Sequence, residues 1–336
     1  MNSLQGKKVL ITGGAGFIGS ELAHQLAAAG SEVIVVDNLV NGKRENLQDI
    51  LSGNVRLEVA DIRDIEKMRS LINGVDILFH LACLGVRHSI HSPRENHDVN
   101  GTATLDLLAL SRDANVGRFV YVSSSEIYGT AVEVPMTEEC PPFPHTVYGA
   151  SKLAGDCYTR AYCKTYGFPT VVVRPFNSFG PRSHHEGDSG EVIPKFLLRG
   201  MAGLPMIIFG DGQQTRDFTH VTDTARGIIL AGTSEKAIGE TINLGYGREI
   251  TINELASEVR SLLSKPNAPI EFIEPRPGDV LRLYADSSKA KSLLDYEPHF
   301  TLKMGLDNLK KWYEELNVDP AELLKNERVR NWQEVK

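Results

Sequence analysis

Short apolar runs rich in Val and Ile recur through the first half of the chain, at 7–12, 32–37, 54–61, 75–82, 118–124 and 170–175. Runs of this length bounded by turn residues predict buried strands. Between them, 20–29, 65–72, 100–114 and 148–166 have the length and composition of crossover helices. The alternation predicts an α/β fold with a doubly wound parallel sheet, because right-handed crossovers pack helices over both of its faces. After Pro175 the rhythm breaks. Asn177-Ser178-Phe179-Gly180-Pro181-Arg182 is loop chemistry, and a polar stretch follows to Gly190. The apolar segments that resume alternate less regularly, which predicts a second, smaller α/β unit. Glu274-Pro275-Arg276-Pro277-Gly278-Asp279 reads as a rigid loop, and the charged tail from about Asn317 as a peripheral helix.

Composition narrows the class. With 41% hydrophobic and 24% charged side chains over 336 residues, the chain can bury a large core, which excludes a disordered or collagen-like protein. Lys and Arg total 36 against 43 Asp and Glu, so the basic excess that nucleic acid attracts is missing and no nucleic-acid partner is expected. Cys83, Cys140, Cys157 and Cys163 form no CxxC pair and no zinc-ligand spacing, which suits a reducing compartment. Neither a signal-type apolar core nor a bilayer-spanning run is present, so a cytoplasmic protein with no membrane partner is expected.

Gly13-Gly14-Ala15-Gly16-Phe17-Ile18-Gly19 spaces glycines three residues apart between the first predicted strand and the first predicted helix. Missing side chains let the backbone approach a pyrophosphate, and a helix opening near Gly16 offers it unpaired N–H groups and a positive dipole end. Asp37 ends the second strand, 18 residues beyond Gly19, where its carboxylate can accept from a ribose diol. A 2′-phosphate would meet like charge there. NAD is therefore expected rather than NADP, with Lys43 and Arg44 leaving some room for the other form. Asp61-Ile62, after the third strand, reads equally as a flank for adenine or as a helix N-cap.

Tyr148-Gly149-Ala150-Ser151-Lys152 opens a long helix and puts a phenol and an ammonium four residues apart on one face. The phenol becomes a usable base near neutral pH if the lysine and a bound nicotinamide cation favour its ionised form. A shift of about three pKa units needs about 4 kcal/mol. Ser123-Ser124-Ser125-Glu126 lies at the carboxyl end of a predicted central strand, the edge where open α/β sheets bind ligands. Tyr/Lys pairs also occur on solvated helices, and serine runs also serve as turns. Their conjunction with the glycine turn favours chemistry. His184-His185-Glu186 suggests no metal, since adjacent histidines in an extended loop do not converge on one ion.

These residues resemble the extended short-chain dehydrogenase/reductases, specifically the nucleotide-sugar epimerase/dehydratase group. Over roughly residues 6 to 315 the resemblance is carried by the glycine turn, Asp37-Asn38-Leu39, His80-Leu81-Ala82, the Tyr148/Lys152 pair, Arg174-Pro175-Phe176-Asn177, Arg216-Asp217-Phe218 and Arg276-Pro277-Gly278-Asp279-Val280. It implies a Rossmann unit at 1–178 with 215–246, a nucleotide-sugar unit at 179–214 with 247–318, and a peripheral tail at 319–336. NAD would be held by Gly13, Gly16, Phe17, Ile18, Gly19, Asp37, Asn38, Asp61, Ile62, Leu81 and Ala82, together with Tyr148 and Lys152. Tyr148 would remove the proton of a sugar 4-hydroxyl while the C4 hydride passes to NAD, with Ser124 as hydroxyl partner and Lys152 supporting the phenolate. The implied partner is a nucleotide-diphosphate sugar. Asn177, Arg216 and Arg276 would lie near its diphosphate, Asp279 near its ribose and Val192 against its base. Arg87 follows Cys83 in a loop that can touch the sugar. The resemblance also implies a homodimer formed through helices at 93–114 and 148–166.

The outcome after C4 oxidation turns on Glu126. A 4-keto group makes the C5 proton acidic, and a carboxylate there can remove it and set up loss of the C6 hydroxyl. Glu126 occupies the family's position for that base, which favours an NDP-hexose 4,6-dehydratase. Ser125 stands where the dTDP-glucose dehydratases have an aspartic acid, and the 276–280 loop looks more like that of 4-epimerases. A UDP-hexose 4-epimerase is therefore the alternative, and a UDP-glucuronate decarboxylase, which also carries Ser-Glu, comes third. A non-catalytic NAD-binding regulator would have lost Ser124, Tyr148 or Lys152, and all three are intact.

Overall fold

The computed structural model describes residues 4–51, 53–187, 189–276 and 280–330. The first half runs β1 (Lys8–Thr12), α1 (Phe17–Ala28), β2 (Glu32–Asp37), β3 (Val55–Val59), α2 (Ile65–Ile72), β4 (Ile77–His80), α3 (Val86–His91) and α4 (Pro93–His97). A π-helical turn at Asp98–Thr102 leads into α5 (Ala103–Asp113), then β5 (Arg118–Val122), α6 (Val147–Tyr166) and β6 (Thr170–Pro175). There follow β7 (Asn177–Phe179), α7 (Val192–Ala202), β8 (Met206–Phe209), β9 (Thr215–His220), α8 (Val221–Thr233), β10 (Thr241–Leu244) and β11 (Glu249–Thr251). The last elements are α9 (Ile252–Leu262), β12 (Ile270–Ile273), α10 (Ser288–Leu294), α11 (Leu302–Glu315) and α12 (Pro320–Leu323).

The central sheet has the order β10-β6-β5-β4-β1-β2-β3, with every pair parallel. Its alternating side chains build two cores. Val9 and Ile11 of β1, with Val33 and Val35 of β2, face α1, α8 and α10, whereas Leu10 and Ile34 face α2 and α5. The chain winds outward from β1 to β3 and returns to β4 on the other side of β1. Loops leaving β1 and β4 therefore diverge, and a crevice opens beyond their carboxyl ends.

Helix α6 lies unusually close to the sheet because two of its positions lack side chains. A Cβ at Gly155 would come within 2.4 Å of the Tyr121 hydroxyl, and one at Gly149 within 2.8 Å of the Glu126 carbonyl oxygen. A buried ion pair fixes this approach: Arg174 of β6 donates to both oxygens of Asp156 at 2.9 and 3.2 Å. Arg174 also donates to the Tyr128 hydroxyl at 2.7 Å, and Tyr128 donates to Asn243 of β10 at 2.8 Å.

A third core unites Phe196 and Leu197 of α7, Leu255 and Val259 of α9 and Leu306 and Leu309 of α11. Within the range expected for this second unit, Ala290, Leu294 and Tyr296 instead pack into the α1/α8 core. In the range expected as a tail, Leu324 joins the third core and Glu327 pairs with Arg199 of α7 at 3.0 Å. Among the described residues no helix is long and apolar enough to cross a membrane.

Asp156 is fully buried, so Asp156→Ala strands two arginine contacts and is expected to lower unfolding free energy by roughly 3–5 kcal/mol. Urea denaturation measures this, and a loss below about 1 kcal/mol would reject the ion pair as the clamp on α6.

Candidate active site

The crevice continues into a cavity of about 900 Å³ between the two units. Every candidate residue named from the sequence lines it except Asp279, which lies outside the described residues. At the β1 end, a Cβ on Gly19 would sit 2.1 Å from the Gly13 carbonyl oxygen, so the turn tolerates no larger residue there. Gly16 caps α1 without a side-chain hydrogen bond, and the first turn carries no acid. The leading N–H groups and the positive helix end are thus left to the cavity, which fits a dinucleotide pyrophosphate.

Asp37 has a second task that the sequence reading did not reveal. Its carboxylate accepts the Ala15 N–H at 3.0 Å and the Leu39 N–H at 2.9 Å, tying the glycine turn to the end of β2. Burial raises its pKa against these two hydrogen bonds. Lys43, which left room for a 2′-phosphate, is bound to Glu186. Asp61 is not the cap of α2. That role belongs to Asp64, which accepts from Lys67 N–H at 3.0 Å. Asp61 is held at a pKa of about 2 chiefly by its hydrogen bond to Arg63, although burial opposes this.

The loop after β4 is aligned by a chain of buried hydrogen bonds whose direction follows from its ends. The Thr104 hydroxyl donates to Asn100 O at 2.8 Å, so it accepts from His80 Nε2 at 2.9 Å. His80 Nδ1 then accepts from Thr12 at 2.6 Å, and the Thr12 oxygen accepts from Ala82 N–H at 3.3 Å. Burial, with the nearby Lys152 charge, lowers the His80 pKa to about 3, so the ring stays neutral as this order requires. Asn100 adds a second tie: its side chain accepts from Leu84 N–H at 2.8 Å and donates to the Ser151 hydroxyl of α6 at 3.0 Å.

At the β5 edge, Ser124 caps a 3₁₀ turn over Ser125–Ile127 by accepting the Glu126 N–H at 3.2 Å. Thr146 caps α6 by accepting the Gly149 N–H at 3.0 Å, which places Tyr148 in the first turn. Burial holds the Tyr148 phenol above its ordinary pKa. The neighbouring Cys83 and Glu126 add to the rise, and a hydrogen bond with Ser124 opposes it. Lys152 is 98% buried, at a relative exposure of 2%. Its ammonium donates to Val122 O at 2.6 Å and lies 4.5 Å from the centre of the Tyr121 ring. Lys152, engaged with Val122 O, is not among the groups that shift the phenol pKa.

At the far end, Asn177 Oδ1 is buried without a hydrogen-bond partner among the described residues. Arg216 donates to Thr215 O at 2.8 Å, and the Arg276 guanidinium lies 4.7 Å from the Phe209 ring centre. Lys195 is lowered to about 8, first by burial and then by the charges of Arg276, Arg87 and Arg199, with Glu327 opposing. Mutually repelling cations around an orphaned amide suit a diphosphate. Motif reading gave no binding role to Arg199 or Glu327. Only the docked tail brings Glu327 beside α7.

Residues 9–245 match the model of the NAD-dependent epimerase/dehydratase family. The chain belongs to this family. It is 33% identical to a putative UDP-glucose 4-epimerase of Methanocaldococcus jannaschii, over 92% of this chain and 99% of that one. It is also 33% identical to a UDP-N-acetyl-alpha-D-glucosaminuronate decarboxylase of Bacillus cytotoxicus, over 93% and 99%. The structure of DesIV, a dTDP-glucose 4,6-dehydratase from Streptomyces venezuelae with NAD bound, superposes with a TM-score of 0.86 at 34% identity, covering 92% of this chain and 97% of that one. The family is NAD-dependent, and this chain is an NAD-dependent enzyme acting on nucleotide sugars.

Because the Gly19 position has no space for a methyl group, Gly19→Ala is expected to weaken NAD at least about tenfold, or about 1.4 kcal/mol. Calorimetric titration on protein with unchanged circular dichroism checks this, and wild-type affinity would contradict the packing argument.

Proposed function

We propose that this enzyme is an NDP-hexose 4,6-dehydratase that first oxidises C4 of the sugar. The observation that carries the reading is the Glu126 carboxylate, close enough to the Tyr148 phenol to raise its pKa on the wall of the same cavity. Bound NAD supplies a hydride acceptor and a positive ring. Tyr148 takes the 4-hydroxyl proton, the neighbouring Ser124 hydroxyl shares it, and Lys152 fixes the helix edge through Val122. A ketone at C4 acidifies C5, and Glu126 is the carboxylate in reach of that proton. The cations Arg216 and Arg276, with Asn177, hold the diphosphate, and Val192 packs on the base. In the cell we place the enzyme in the cytoplasm as a homodimer through the helical segment 93–114, which comprises α4 and α5, and through α6.

A 4-epimerase is the second reading, favoured by Ser125. This residue is buried beside Glu126 and brings no acid to the leaving hydroxyl.

Incubation with dTDP-, UDP- and GDP-hexoses in deuterated water, followed by NMR, separates the readings. A 4-keto-6-deoxy sugar carrying C5 deuterium is expected. Inverted C4 without deuterium supports the epimerase, and a pentose from a glucuronate substrate supports a decarboxylase. Tyr148→Phe is expected to lower turnover by roughly 10²–10⁴-fold with NAD still bound. Glu126→Gln should permit C4 oxidation while stopping deuterium entry at C5.

A further inference from the structure

Beyond α11 the chain returns to the cavity. Asp319 caps α12 by accepting the Ala321 N–H at 2.8 Å, and Leu324 sinks into the third core. Past this anchor, exposure alternates as it does along a strand. Asn326, Arg328 and Arg330 face solvent, whereas Glu327 and Val329 turn inward and line the cavity. We infer that the segment 324–330 is part of the wall that holds the nucleotide, with Glu327 positioning the Arg199 and Lys195 cations for the diphosphate. The inference rests on the diphosphate placement proposed above, and not on whether the sugar is dehydrated or epimerised.

Three attachments carry it, one on each element of the second unit that borders the cavity. In the loop after β7, the Gly187 N–H donates to Asn326 O at 2.9 Å, and Gly187 pairs with Glu327 in a parallel bridge. On α7, Arg199 Nε reaches both oxygens of Glu327 at 3.0 and 3.2 Å, while Lys195 Nζ donates to Arg328 O at 2.8 Å. In the loop after β12, Arg330 meets the two oxygens of Glu274 at 2.6 and 3.1 Å, two residues before Arg276. One stretch of backbone thus ties the lysine of α7 to the loop that bears Arg276. Arg199 is fixed on its other side by donating to Pro205 O at 2.9 Å. Lys195 is confined from the β7 side as well, since a Cβ on Gly190 would lie 2.3 Å from its Cε.

The electrostatics agree with the geometry. Lys195 faces Arg87 from α3, Arg276 after β12 and Arg199 along its own helix, with Glu327 as the opposing carboxylate and Glu191 one turn earlier on α7. Burial lowers its pKa to about 8, Glu327 opposes the fall, and the three arginines add to it. Without the Glu327 charge the ammonium loses its proton at lower pH, and its attraction for a diphosphate goes with it. Glu191, raised by burial to about 8, titrates in the same range, but it is common to the wild type and a Glu327 variant and cancels in their ratio.

The test is calorimetric titration of the NAD-loaded enzyme with UDP, dTDP and GDP, followed with whichever binds the wild type. A drop of one pKa unit at Lys195 cuts its ammonium fraction at about pH 8 roughly fivefold, so Glu327→Gln is expected to weaken the nucleotide about fivefold there and by less than about twofold near pH 6. Glu327→Asp, which keeps the charge, should recover most of the affinity. In a Lys195→Gln background the Glu327 substitution should have no pH-dependent effect. Binding is reciprocal, so the nucleotide should also slow trypsin cleavage of the wild-type tail after Lys325 and Arg328, a measurement that stands even if the Gln variant fails to fold. Wild-type affinity of Glu327→Gln at about pH 8, an equal loss at both pH values, or tail cleavage indifferent to nucleotide would overturn the assignment. Affinity unchanged by both Lys195→Gln and Arg276→Gln would instead overturn the diphosphate placement itself.

Discussion

The close approach of α6 to the β5 edge is the constraint on which the rest of the site depends. Gly149 and Gly155 permit it, and the buried Arg174/Asp156 pair holds it. The consequence is electrostatic as well as steric. Lys152 is forced under the sheet edge onto the Val122 carbonyl, and the 3₁₀ turn bearing Glu126 is pressed against the helix start that bears Tyr148. A phenol desolvated in this way, with a carboxylate and a thiol beside it, is a poor base until positive charge arrives. In the proposed reaction, proton removal by Tyr148 is thereby linked to coenzyme binding.

The crevice is kept in register by polar groups that the sheet core would otherwise exclude. The line from Asn100 O through Thr104, neutral His80 and Thr12 to Ala82 N–H joins the π-helical turn to the loop past β4. Asn96 and Ser151 extend the tie to α6, since the Ser151 hydroxyl donates to Asn96 Oδ1 at 2.9 Å. Each donor has its acceptor, so burial costs little and the loop is left few alternatives.

The second unit closes the cavity from the other side and is itself strapped to the first. Arg182 pairs with Glu21 of α1, and Glu186 with Lys43 beyond β2, so the loop after β7 spans the dinucleotide crevice. Beneath it the cations near α7 crowd one another until Lys195 loses part of its hold on a proton. Crowding of this kind stabilises a bound anion more than it stabilises the fold.

The alternation of apolar runs with helix-length segments, the glycine turn and the four-residue spacing of Tyr148 and Lys152 were legible in the sequence, because each depends on periodicity and chirality within a few neighbouring residues. The strands at 32–37 and 170–175 and the helix opening at 148 follow from those patterns nearly residue for residue. What Lys152 touches, which aspartate caps α2, and the docking of 320–327 beneath α7 were decided by contacts between residues distant in the chain. The same holds for ionisation. A lysine at 195 is an ordinary ammonium by composition, and only its burial and the cations crowded around it lower its pKa to about 8.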